Sequence, residues 1–90
     1  MGLKKRDMTE KEWAKYCREK NKGRVKAAKD TLLAYRKIED PKDLGDMIEM
    51  TDLVDLLSDL RHYAKANNMD FNAADRSAFN HFEAETHGEE

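Results

Sequence analysis

Five carboxylates recur at helical spacing in the middle of the chain. Asp46, Glu49, Asp52, Asp55 and Asp59 follow one another at three or four residues. Side chains so spaced share one helix face, so their charges act together. Such a face has three uses. It can lie in water and favour the N-terminal end of its own helix through the macrodipole. It can dock on a basic groove by imitating the charge of phosphates, with Glu49, Asp52, Asp55 and Asp59 as contacts. It can also hold a divalent cation, since carboxylates suit Mg²⁺, and Glu49 with Asp52 is the pair for that. Other chemistry is sparse. Cys17 is the one cysteine; Arg18 and Lys20 nearby favour its thiolate, but no histidine is close in sequence and a buried structural thiol is expected. His62, His81 and His87 have no zinc-ligand spacing. No Gly-rich phosphate loop or serine nucleophile elbow is present. No cofactor is expected.

The opposite charge lies upstream. Residues 1–37 hold 13 Lys+Arg and 5 Asp+Glu, a net of +8, and residues 38–90 hold 4 and 14, a net of −10; together these make the −2 of the whole chain. A near-neutral total therefore hides a strong asymmetry, which points to a charged partner or to neutralisation within a homodimer. Lys15, Arg18, Lys22, Arg24, Lys26 and Lys29 are the candidate phosphate contacts if that partner is RNA or DNA. Glu10, Glu12 and Glu19 interrupt the run, and no aromatic lies between Lys20 and Lys29 to stack a base.

The elements that must position these residues are helices. One proline and four glycines among 90 residues leave little turn chemistry, and the apolar residues follow a helical rather than an alternating pattern. The expected fold is all-α, a small bundle of three to four helices in a single domain over residues 9–85, with a frayed segment 1–8 and a polar tail 86–90. Thr9-Glu10-Lys11-Glu12 is a capping box. It opens a basic helix over 9–38 whose apolar stripe includes Trp13, Tyr16, Cys17, Val25, Leu32 and Tyr35. Gly23 either lies within that helix, continuous or kinked, or ends a first helix as its C′ residue. Asp40-Pro41 predicts the cap and first residue of a short turn. The acidic segment 40–67 follows, its main helix running from Ile48 to Ala66 and ending at Asn67-Asn68, since Asn tolerates the left-handed conformation. Asp70 caps a last helix over 70–85. Phe71, Phe79 and Phe82 should pack on Leu53, Leu57, Leu60 and Tyr63, while Trp13, Tyr16 and Leu32 cover the other side or anchor a partner.

A chain this short buries only about 60–65 % of its unfolded surface, so a dimer or a host complex would ease the shortage of core. Without a pair of cysteines no internal disulfide can staple it. The N-terminus is charged with no apolar segment behind it, no run approaches 18 apolar residues, and Arg6 stands where a myristoylation site needs Ser or Thr. A cytoplasmic, non-membrane protein is expected.

Two resemblances bear on function. Glu49-Met50-Thr51-Asp52, running into Leu53-Val54-Asp55-Leu56-Leu57 and later Asn68-Met69-Asp70-Phe71, resembles the E-x-x-D half of the carboxylate motif of the MazG-related helical nucleoside triphosphate pyrophosphatases. That implies Mg²⁺ on substrate phosphates, but the E-x-x-E pair that family carries on an earlier helix is missing here. The stretch from Thr51 to Tyr63, with Asp70-Phe71 and His81-Phe82-Glu83-Ala84-Glu85, resembles small uncharacterised proteins of phages and mobile elements. That implies a setting, not an activity. Together these readings predict a non-enzymatic helical module that binds a larger host protein or nucleoprotein complex, as an anti-CRISPR-type inhibitor of host defence would. Asp52, Asp55 and Asp59 are its charged contacts, and Trp13 and Tyr16 its anchors. A nucleic-acid-binding protein and a Mg²⁺-dependent hydrolase are the alternatives.

Overall fold

Local signals set each helix end. The computed structural model describes residues 7–89, and most of the expected 1–8 segment lies outside that span. Helix α1 (Glu10–Glu39) opens on the capping box: the Glu12 N–H donates to Thr9 Oγ1 at 3.1 Å, and the Thr9 N–H donates to Glu12 Oε1 at 3.3 Å. These bonds satisfy two backbone donors that have no partner inside the helix. Gly23 neither ends nor interrupts α1, and nothing lies within 4 Å of where its Cβ would be.

The Asp40-Pro41 expectation holds in part: Pro41 leads a short turn, closed by the Asp43 N–H donating to Asp40 O at 3.0 Å, but no helix starts there. Asp40 closes α1 instead of starting a new turn of helix, its N–H donating to Arg36 O at 2.7 Å. Pro41 disfavours helical geometry at the residue before it, and Asp40 is extended (φ −140°, ψ 91°). Its carboxylate instead accepts from the Lys42 N–H at 3.1 Å, and residues 43–49 are irregular. Helix α2 (Met50–Ala66) therefore starts two residues later than Ile48, with Glu49 as its cap. It ends as its asparagines predict: Asn68 takes φ 57°, and the Met69 N–H reaches Ala64 O at 2.8 Å in a Schellman-type closure. Helix α3 (Phe71–His87) opens with Asp70 Oδ1 accepting from the Ala73 N–H at 3.0 Å. It runs through Thr86 and His87, which were expected in the tail, because its last turn is tied to α1.

The protein is all-α, a small three-helix bundle. Its helices join at three places. Tyr35 and Arg36 of α1 meet the first half of α2, Arg61 of α2 meets Phe71 and Asn72 at the start of α3, and Asn21 and Arg24 of α1 meet Glu85 at the end of α3. The outline is a triangle with its middle open. The Cα radius of gyration is 16.5 Å, against about 12 Å for a compact domain of this length.

The expected core does not close. Only Ala14 and Ala64 are buried among the described residues. Leu53, Leu57, Leu60, Tyr63, Phe79 and Phe82 remain between 41 and 60 % exposed, so the phenylalanines of α3 do not cover the leucines of α2. Yet Leu53, Leu57 and Leu60 share a stripe with buried Ala64, at spacings of four, three and four. The stripe is covered at Ala64, beside the α2–α3 loop, and exposed from Leu60 back to Leu53.

Because Gly23 has helical geometry and open surroundings, Gly23→Ala should stabilise the fold by about 1 kcal/mol, raising Tm by roughly 4–8 °C in a thermal melt. A melt unchanged or lowered would contradict an unbroken α1.

Candidate functional site

The acidic contacts and the aromatic anchors fall at two separate junctions along α1. Trp13 and Arg36 are separated by 23 residues of one helix, roughly 35 Å. The acidic contacts and the aromatic anchors therefore do not form one surface.

The first junction joins α1 to the 43–49 segment and α2. Arg36, its side chain only 19 % exposed, is the hub. It donates to Asp43 Oδ2 at 2.7 Å and to the Met47 carbonyl, and lies 3.8 Å from the Asp52 carboxylate. The Asp43 carboxyl is held below its ordinary range, first by the Arg36 hydrogen bond and then by the Gly45 N–H. Asp52 also accepts from the Glu49 N–H at 2.8 Å, capping α2. The Glu49–Asp52 pair read as a cation site thus has its Asp arm engaged by a guanidinium and a backbone donor. Among the described residues no three His, Cys, Asp or Glu side chains gather in a way that could hold a metal ion.

On the residue before Arg36, the Tyr35 hydroxyl lies against the carboxylates of Glu39 and Asp59. A phenol has one proton, so it donates to one of them at a time. Both favour the protonated phenol, and the Asp59 bond, then the Glu39 bond, pushes Tyr35 well above its ordinary value. The acidic stripe is therefore not a free face: Asp52 and Asp59 are turned to α1, while Asp55 keeps an exposed carboxylate without an ion pair among the described residues.

The second junction sets the end of α3 against the first half of α1. Asn21 Nδ2 donates to Glu85 O at 2.9 Å, Arg24 pairs with the Glu85 carboxylate, and Arg18 reaches Glu89 O at 3.3 Å. A Cβ on Gly88 would come within 2.6 Å of Cys17 Sγ, so the missing side chain permits this approach. Cys17 is half-buried rather than fully buried. Beside this contact lies a cleft of about 750 Å³, lined by Glu10, Trp13, Tyr16, Lys20, Glu85 and His87 among others. Trp13 and Tyr16, both half-buried, stack with ring centroids 5.4 Å apart, and the Lys20 ammonium lies 5.6 Å from the Tyr16 ring.

The six candidate phosphate contacts divide evenly. Arg18, Arg24 and Lys26 bond within the chain, Lys26 to Asp30 at 2.7 Å. Lys15, Lys22 and Lys29, seven residues apart, lie along one exposed line of α1 without an ion pair among the described residues. The roles of Arg36, Tyr35 and Gly88 carried no sequence signal, because their partners lie on other elements. The chain matches no family model, no curated protein and no solved structure. No helix among the described residues is long and apolar enough to cross a membrane.

A raised phenol pKa stabilises the fold below the ordinary tyrosine value near 10, and that contribution is lost as pH climbs through the folded-state value. Followed by phenolate absorbance, one of the three tyrosines should ionise late, with α1–α2 contacts loosening in step. Tyr35→Phe should remove the late component; its persistence would contradict the assignment.

Proposed function

We propose that this protein is a helical interaction module that works by seating the inward faces of its helices on another polypeptide. The uncovered apolar stripe carries the reading. Leu53, Leu57 and Leu60 lie in one row on α2, Phe79 and Phe82 pair on α3, and all stay open although they are patterned as a core; exposed apolar rows of this kind mark an interaction surface. The charge split would then select orientation and speed encounter. In the phage or mobile-element setting that residues 51–85 resemble, the further target would be a host protein or nucleoprotein complex, a defence complex included. It would be reached through charges without an ion pair among the described residues, such as Asp55, Asp75 and Glu83.

The Lys15–Lys22–Lys29 line favours a second reading, in which α1 contacts the phosphates of a nucleic acid. Capture from host lysate that also contains an untagged copy separates the two. The module reading expects a polypeptide that survives nuclease and high salt with the wild type and is lost with Leu57→Glu. Material that vanishes with nuclease, or a gel shift falling steeply with salt and abolished by Lys22→Glu, would replace it with the nucleic-acid reading. Asp52→Lys and Asp59→Lys are unsuitable probes of binding, since both disturb the α1–α2 junction.

A further inference from the structure

The observations fix how much surface is left over and what charge surrounds it. The chain exposes 7803 Å², whereas a compact monomer of its mass exposes about 5,400 Å². Seven residues lie outside the described span; setting aside the most they could expose, about 1,200 Å², and comparing the rest with a compact chain of its own mass, about 5,100 Å², leaves roughly 1,500 Å² per chain. Over two chains that is about 3,000 Å², within the range of obligate homodimer interfaces.

The frame cannot recover this area by closing on itself. Asn21 and Arg36, which pin α3 and α2 to α1, are 15 residues apart, roughly 22 Å along the helix axis, while packed helix axes are about 8–10 Å apart. The stretch of α1 between the pins carries Val25, 70 % exposed on the face that continues from Asn21 toward Leu32. Val25 and Phe82 line one groove of about 430 Å³ between α1 and α3. Exposed apolar residues thus occur on all three helices.

We propose that this face is closed by a second copy of the chain, in a two-fold dimer that lays each α1 across the α2–α3 pair of the other. The inference rests on the interaction-module reading and names its partner. Three arguments select a second copy. The missing core is needed by every molecule at all times, and a second copy is the polypeptide present whenever the first is made. The leftover area is that of a permanent homodimer, not of a passing encounter. The chain is also charge-complementary to itself, since the +8 of residues 1–37 meets the −10 of residues 38–90 when the copies run crosswise. Stacking α1 on α1 would set the basic half of one chain against the basic half of the other. A two-fold axis produces the crosswise contact twice, because each surface meets the other's complement.

Sedimentation equilibrium of the full chain tests the mass. The expected result is twice 10.5 kDa at micromolar concentration, with the dimer Kd raised roughly 100-fold or more by Leu57→Glu, which would place a charge in the apolar seam. A fully helical monomer up to several hundred micromolar overturns the proposal, as does a dimer indifferent to Leu57→Glu. Orientation is read independently of any folding defect by cross-linking. In a Cys17→Ala background, a Val25→Cys chain mixed with a Leu57→Cys chain should oxidise mainly to the mixed pair, and preferential Val25→Cys homodimers overturn the crosswise arrangement. A monomer that still captures a different protein, lost on Leu57→Glu, refutes the second copy but leaves the module reading standing. A wild type that is monomeric and captures nothing refutes both.

Discussion

A helix of 30 residues is about 45 Å long, and the 17-residue helices that follow it are each about 25 Å. Neither short helix can lie along the whole of α1. Joined by a turn of four residues, they leave α1 at one pinned point and return to it at another. The spacing of the two pins on α1, 15 residues apart, makes the outline triangular and moves the contacts to the corners. It explains why leucines and phenylalanines with a core's periodicity are not buried, and why small residues, Ala14 and Ala64, are the ones that are.

The corners are held by polar groups. At one, Arg36 gathers a carboxylate, a backbone carbonyl and a second, more distant carboxylate; at the other, Asn21 and Arg24 grip the last turn of α3. Pairs this close to solvent are individually weak, so their value is positional. They hold the helices at set points, while the apolar faces that could supply a larger free energy remain unspent. In the proposed function the apolar stripe therefore takes precedence over the acidic one as the seat of binding.

The charge asymmetry takes on a different meaning in three dimensions. From the sequence, the acidic residues of α2 form one stripe and the basic residues of α1 are scattered. In the fold, Asp52 and Asp59 turn to α1 and leave Asp55 outward, whereas Lys15, Lys22 and Lys29 fall on a line without ion pairs among the described residues. Internal pairing consumes the order of the acidic face and reveals order in the basic one.

Helix identity and most helix ends were legible in the chain itself. Thr9 with Glu12, Asn68 and Asp70 act on backbone groups within a few residues, and such local hydrogen bonds form wherever the rest of the chain goes. The exceptions also have local causes: Asp40 closes a helix because Pro41 follows it, and Glu49 starts one because Asp52 turns back to its N–H. What joins the helices was not legible. Arg36 and Asp52 are 16 residues apart, Tyr35 and Asp59 are 24, and Asn21 and Glu85 are 64. Periodicity shows which face of a helix is apolar, but it does not show whether a neighbour reaches that face. That depends on helix lengths and corner positions taken together, so the tertiary structure alone decided that the apolar faces stay open and that the acidic stripe does not.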